Sequence, residues 1–348
     1  MSKAGRGRCP PPERPWHVEN FNLRAPRGRE MPYVEELQAR IRELAERKKA
    51  IILAHNYQRI EIQEIADFIG DSLSLARRAS ETDAEVIVFC GVDFMAEVAA
   101  ILNPDKKVLM PEPASTCPMA AQLPASLVRE MKDKHPGAPV VLYVNTLAEA
   151  KAEADAICTS SNAIEVVRRL GSEKVLFGPD RNLCWHVQRH LPDVELVPLP
   201  EAGYCYVHKL FTPDKILRMK EELHPGAALL VHPECDPELQ LAADLVGSTG
   251  QMYNFAREAP FDTFLVATEV GLVERMNREL PGKKAIPAKS DAICAEMKLI
   301  TLEKVLRALE REKPIVKLPR RIEEGAREAV ERMFELMGVV RHAVPTAR

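Results

Sequence analysis

Apolar runs of four or five residues alternate with stretches of helical period along most of the chain, and the same order of elements occurs three times. In the first pass, residues 50–54 read as a buried strand ending at His55-Asn56-Tyr57. A helical stretch follows, and Gly70-Asp71-Ser72 opens a second one. Residues 86–89 form the next strand, a helix surrounds residues 95–102, and a strand at 107–110 leads into a turn that ends at Cys117. In the second pass, residues 140–144 run into Asn145, Cys158-Thr159-Ser160-Ser161-Asn162 opens a helix, and the strand at 174–177 precedes a helix ending near Leu191. Residues 195–199 then lead to Cys205. The third pass runs from 228–231 to the turn His232-Pro233-Glu234-Cys235, through Gly247-Ser248-Thr249 and the strand 264–267, to residues 284–287 and Cys294.

Strands alternating with helices in this way predict parallel α/β units. The expected fold class is α/β: three similar three-layer αβα domains with parallel sheets around a pseudo-threefold axis. The repeats span residues 31–116, 117–204 and 205–294. Beyond them, amphipathic helices at 296–312 and 322–337, within residues 296–340, are expected to pack on the first repeat beside a helix near 33–48.

Composition refines this only slightly. The 348 residues are 46% hydrophobic and 28% charged, enough apolar material for several cores. Lys plus Arg number 48 against 51 Asp plus Glu, a formal charge of −3, so the basic excess of a nucleic-acid binder is missing. No apolar run is long enough for a transmembrane helix. Residues 1–30 stand apart, with seven basic residues, three acidic ones and five prolines. They read as a basic, Pro-rich, disordered extension, not a secretory signal, and a cytoplasmic location is expected.

Eight cysteines contain no Cys-x-x-Cys pair, which argues against a zinc ribbon, a thioredoxin-type pair and a ferredoxin run. Cys158, Cys184 and Cys235 read as packing residues. Cys117, Cys205 and Cys294 do not. They lie 88 and 89 residues apart, each just past the last strand of its repeat. Equivalent positions of a threefold arrangement can all approach its axis. Three thiolates converging there, with no fourth, suit a 4Fe-4S cluster with one open iron, since structural zinc takes four protein ligands and catalytic zinc usually includes histidine. Such an iron acts as a Lewis acid, for dehydration or condensation chemistry.

Ligands of parallel α/β sheets bind beyond the carboxyl ends of the strands. There the first strand of each repeat presents a pair two residues apart: His55 with Tyr57, Tyr143 with Asn145, and His232 with Glu234. The three pairs predict one shared cavity. The second junction carries hydroxyls, Ser72, Ser160 with Ser161, and Ser248 with Thr249, at helix starts fit to cap or to bind anions. Asp71 and Asp180 read as caps or solvated acids, and His186 with His190 as surface histidines.

The motifs Leu53-Ala54-His55-Asn56-Tyr57-Gln58, Gly70-Asp71-Ser72-Leu73, Gly91-Val92-Asp93-Phe94-Met95-Ala96-Glu97, Tyr143-Val144-Asn145-Thr146, Gly203-Tyr204-Cys205-Tyr206-Val207-His208, His232-Pro233-Glu234-Cys235 and Cys294-Ala295-Glu296-Met297-Lys298 occur in that order. Together they resemble the quinolinate synthase family, the A protein of de novo NAD biosynthesis, over residues 32 to 340. The resemblance implies three α/β domains around a 4Fe-4S cluster held by Cys117, Cys205 and Cys294. It implies condensation of iminoaspartate with dihydroxyacetone phosphate to quinolinate, with release of phosphate and two waters. By the same resemblance, His55 and Tyr57 assist proton transfers around the phosphate-bearing partner. Glu234 and His232 serve later deprotonation and dehydration. Ser72, Tyr143, Asn145, Ser160, Ser248 and Thr249 hold carboxylates, hydroxyls or phosphate. A transient contact with an aspartate oxidase or dehydrogenase, as the source of iminoaspartate, is also implied. Some members carry a Cys-x-x-Cys at the last motif; here Ala295, Glu296 and Met297 follow Cys294, which argues against thiol–disulfide regulation of that kind. Two other classes fit the residues less fully: another cluster-dependent hydro-lyase, and a non-catalytic iron or oxygen sensor.

Overall fold

The computed structural model describes residues 31–339; the basic extension 1–30 and residues 340–348 lie outside the described residues. Three four-stranded parallel sheets follow one another along the chain. The first contains β1 (Ala50–His55), β2 (Phe68–Gly70), β3 (Val86–Cys90) and β4 (Lys107–Leu109). The second contains β5 (Val140–Tyr143), β6 (Ala156–Cys158), β7 (Lys174–Gly178) and β8 (Glu195–Pro198). The third contains β9 (Ala228–Val231), β10 (Leu245–Val246), β11 (Thr263–Ala267) and β12 (Lys284–Pro287). Their orders are β2-β1-β3-β4, β6-β5-β7-β8 and β10-β9-β11-β12, one topology used three times. Helices cover the sheets, so the central strands are buried on both faces and read as continuous apolar runs.

One polar contact marks the repeat in all three sheets. Asp67, Asp155 and Asp244, each just ahead of a short edge strand, accept the backbone N–H of Ile52, Val140 and Leu229 at 2.7 Å. The donor lies 15 residues before the acceptor each time, which fixes how the edge strand docks on the first strand.

In this strand order the chain leaves the first strand toward one edge and returns past it to the third. The crevice between those two strands is the topological switch point, where side chains at the carboxyl ends are left uncovered. That geometry puts the loops after β1, β3, β5, β7, β9 and β11 around one central region.

Two features differ from the sequence expectation. The edge strands β2, β6 and β10 have only two or three residues, too few to show a period, and were not anticipated. The helix Leu302–Arg311 packs on the first domain with Met31–Arg47, as expected, around Leu37, Ile41, Val305 and Leu309. The last helix, Arg320–Leu336, does not stay there. Its Ala329, Val330 and Met333 join the core shared with the second domain, Ala326 packs with Ala148 and Ile101, and Gly325 lies against Ala152. Arg169 donates to the Leu336 carbonyl at 2.8 Å, completing this strap across the first two domains. The apolar faces of the short helix Ala148–Lys151 and of β6 would otherwise stand open, which is the physical reason for the difference.

Candidate functional site

A cavity lies where the three domains meet. His55, Tyr57, Ser72, Tyr143, Asn145, Ser160, His232, Glu234 and Thr249 line it, together with Cys117, Cys205 and Cys294. Of the hydroxyls and strand-end pairs singled out from the sequence, Ser161 is absent from this wall, and so is Ser248. Its hydroxyl caps the helix Thr249–Glu258 in a reciprocal capping box with Gln251, and donates to Asp71 Oδ2 at 2.8 Å. The aligned hydroxyls are Ser72, Ser160 and Thr249, spaced 88 and 89 residues apart. Of the preceding residues, Asp71 and Ser248 cap the helices that follow, whereas Thr159 bonds to Ser161 and Asn162 in the turn ahead of its helix.

The cysteine loops are alike in detail. Cys117, Cys205 and Cys294 precede single turns at Ala120–Gln122, His208–Leu210 and Met297–Leu299. In each, the backbone N–H three residues on, of Ala120, His208 or Met297, is directed at the sulfur. The loops also bind one another. Gln122 and Tyr204 exchange two hydrogen bonds of 3.0 and 3.1 Å between the first and second. Tyr206 donates its hydroxyl to Glu296 at 2.6 Å and accepts the Ala295 N–H at 2.9 Å, joining the second and third. Ser115 donates to the Glu296 carbonyl at 2.7 Å, closing the ring. Burial pushes the Cys117 thiol up to about 12 and raises those of Cys205 and Cys294 well above the ordinary range. In the metal-free protein these sulfurs are therefore protonated, and a metal must displace the protons. A wholly thiol donor set with amides aimed at the sulfurs fits an iron–sulfur group. Cys205, His208 and Glu234 also place one ligand atom each within 4.8 Å of one another, a set able to hold a metal ion.

The strand ends, by contrast, differ from one another. Glu234 is buried and accepts the Tyr143 hydroxyl at 2.7 Å; its Oε2 lies 2.8 Å from His208 Nδ1, out of line for a hydrogen bond. Burial opposes ionisation of Glu234, but the neighbouring His208 and His232 and the hydrogen bond from Tyr143 outweigh it, so its carboxyl is held low. Burial also lowers His55 to about 4 and His232 to about 3, so both rings are neutral near pH 7. Tyr57 and Tyr143 are raised well above the ordinary phenol range, by burial first and by the Glu234 charge second. Asn145 Oδ1 is buried without a hydrogen-bond partner, an acceptor left for something in the cavity.

Two further residues belong to this site: His208, which lines the cavity, and Thr268, which is outside the lining and bonds to two residues of it. Thr268 Oγ1 lies 2.6 Å from the Tyr57 hydroxyl and 2.9 Å from His208 Nε2, so Tyr57, Thr268, His208 and Glu234 form one continuous polar chain. His208 stacks on His232 at 4.6 Å between ring centroids. The signal available for His208 was its place three residues after a candidate ligand cysteine.

Comparison with known proteins agrees with this architecture. The sequence pattern of the family described as Quinolinate synthetase A protein matches residues 39–335. A quinolinate synthase of Methanothermobacter thermautotrophicus is 53% identical over 304 residues, covering 87% of this chain and 99% of the relative. One from Pyrococcus furiosus is 51% identical over 306 residues, covering 88% and 100%. One from Dehalococcoides mccartyi is 49% identical over 304 residues, covering 87% and 99%. The chain belongs to the quinolinate synthetase A family.

For a quinolinate synthetase A chain, three other expectations resolve as follows. Cys158, Cys184 and Cys235 are buried among apolar side chains, as packing residues should be. Asp71 and Asp180 cap helices, through the Ser74 and Leu183 amides. His186 is not a surface residue: it is buried, its Nδ1 lies 2.9 Å from Gln240 Oε1, and burial lowers it to about 4. Its helix, Arg181–His190, packs against the short helix Pro237–Leu241 of the third domain, a contact that i, i+4 spacing cannot reveal. No helix among the described residues is long and apolar enough to cross a membrane.

Proposed function

We propose that this chain condenses iminoaspartate with dihydroxyacetone phosphate to give quinolinate, phosphate and two waters, and that Cys117, Cys205 and Cys294 hold a 4Fe-4S cluster. The observation that carries this reading is one cavity lined by three equivalent thiols and by three unlike polar pairs. When bound, the cluster supplies an open iron as a Lewis acid toward oxygen or nitrogen of a substrate. The protein supplies the rest.

Ser72, Ser160 and Thr249 stand at helix starts and bind carboxylate or phosphate oxygens. Asn145, with its free buried oxygen, accepts from a hydroxyl or amine, and Tyr143 holds a substrate oxygen while keeping Glu234 in position. Tyr57 gives and regains a proton through Thr268 and His208, whose spacing of 2.6 and 2.9 Å is that of a relay. His55, neutral and edge-on to the Tyr57 ring at 4.6 Å, can accept a proton beside the phosphate-bearing partner. Glu234 and His232 serve the later deprotonations and dehydrations. An incoming dicarboxylate raises Glu234 toward the working pH by like-charge repulsion, which makes it a better base.

The test is anaerobic reconstitution with iron and sulfide, followed by product analysis with both substrates. Quinolinate and phosphate in equal amounts are expected. A loaded protein that forms no quinolinate, or that dehydrates a single substrate instead, overturns the reading in favour of another hydro-lyase.

A further inference from the structure

Each cysteine loop meets a buried carboxylate from the loop after the third strand of its own domain. Asp93 Oδ1 accepts the N–H of Cys117 at 3.0 Å while also accepting that of Phe94 at 2.8 Å. Glu269 Oε1 accepts the N–H of Cys294 at 3.3 Å, and its Oε2 accepts that of Gly271 at 2.7 Å. Asp180 occupies the same place in the second domain: it accepts the Leu183 N–H at 2.7 Å, and the Cys205 amide faces its carboxyl. There the contact is looser, because Asp180 Oδ2 has no hydrogen-bond partner. These acids stand 24, 25 and 25 residues ahead of Cys117, Cys205 and Cys294.

The surroundings make this arrangement costly and therefore informative. All three carboxylates are largely buried, and burial raises each of them. Lys298 pairs with Glu269 Oε1 at 3.0 Å and also donates to the Tyr57 carbonyl at 2.6 Å, tying the third cysteine loop to the end of β1. Lys151, fully buried, supplies the positive charge near Asp93. Capping a helix does not require a buried acid with its own buried lysine, since a serine or threonine hydroxyl does it in water. What the acid adds is a second hydrogen bond, to a cysteine amide of the neighbouring loop.

We infer that Asp93, Asp180 and Glu269 are positioning residues that fix the cysteine loops in their presenting conformation before any cluster is bound. The inference rests on the reading of the three cysteines as cluster ligands. It makes the site preorganised, so that assembly of the cluster does not have to order three separate loops.

The experiment compares wild type with Asp93→Ala, Asp180→Ala and Glu269→Ala, and with the conservative Asp93→Asn, Asp180→Asn and Glu269→Gln, all cluster-free. Amide hydrogen exchange is measured by mass spectrometry, and iron and sulfide content after anaerobic reconstitution. In each Ala variant, exchange in its own cysteine loop (residues 115–122, 203–210 or 292–299) should rise about tenfold, as for a lost hydrogen bond, and reconstituted cluster should fall. The Asn and Gln variants keep an acceptor oxygen and should restore both. Asp180→Ala should show the smallest change. Exchange that rises only at the capped helix start, or evenly across the molecule, reduces the acids to ordinary structural residues and overturns the inference. So does an Asn or Gln variant as impaired as its Ala counterpart. Wild type that takes up no iron and sulfide overturns the ligand reading itself, a result distinct from both.

Discussion

The cysteine loops and the ends of the first strands sit at equivalent positions of the same three domains, yet they have diverged differently. At the loops the chemistry is uniform: a thiol, an amide three residues on directed at it, and an acid beside its own amide. At the strand ends, aligned positions hold His55, Tyr143 and His232, and then Tyr57, Asn145 and Glu234. A group on the pseudo-threefold axis needs like ligands from every side. A substrate has no such symmetry, so each strand end must meet a different part of it. The same divergence shows one layer out. Gln63 and Gln240 are aligned and each donates to the carbonyls of its strand-end loop, whereas the aligned residue in the second domain is the buried Lys151.

The sharpest way to break the comparison is at the loops. Cys117→Ala, Cys205→Ala and Cys294→Ala should each lose cluster absorbance and turnover entirely, whereas Cys158→Ala and Cys235→Ala should keep both. Iron and sulfide analysis after anaerobic purification checks this. Full loading in any one of the first three would show that the loops are not equivalent.

At the strand ends, single changes should leave the cluster and remove the chemistry. Tyr57→Phe takes one hydroxyl out of the chain to Thr268 and His208, and Glu234→Gln removes the carboxylate between Tyr143 and His208. Turnover should fall by about 100-fold or more in each, the scale of a lost acid–base group. Rates near wild type on loaded enzyme would mean these residues are scaffold.

A finer test separates the two rows of hydroxyls. Ser72→Ala should raise KM by about tenfold, as for one lost hydrogen bond to a charged substrate group, with little change in kcat. Ser248→Ala should leave KM within a few-fold and instead lower thermal stability, because its hydroxyl caps a helix and binds Asp71. Steady-state kinetics and melting curves distinguish these, and equal KM effects would erase the distinction between the rows.

The mildest expected effect comes from pH. Burial lowers His55 from 6.5 to about 4 and His232 from 6.5 to about 3. Between those values the unfolded chain binds protons that the folded chain refuses. Stability is therefore full above pH 6.5 and declines as pH falls toward 4 and below. Melting temperatures of the metal-free protein across that window should fall; a flat profile would mean that the rings are solvated.

Much of this was legible because it is periodic. The strand runs from Ala50, Val140 and Ala228, the hydroxyl-bearing helix starts and the recurrence of cysteine every 88 or 89 residues are local patterns, repeated often enough to outweigh chance. The acids 24 or 25 residues ahead of each cysteine were equally regular in the sequence. An acid at a helix start also has an ordinary explanation as a cap, which hides that regularity.

What the sequence alone determined is the set of longer elements, their threefold recurrence and the junction at which each chemical group sits, since backbone propensity and burial period act within a few residues. Tertiary structure decided which groups meet. Tyr57 reaches Thr268 across 211 residues, and His208 reaches Thr268 across 60. The buried His186 and the strap made by Arg320–Leu336 also depend on how neighbouring domains dock. Those contacts join residues far apart in the chain, most of them in different repeats, and their identity is fixed by shape and desolvation where the surfaces meet, which leave no period along the chain.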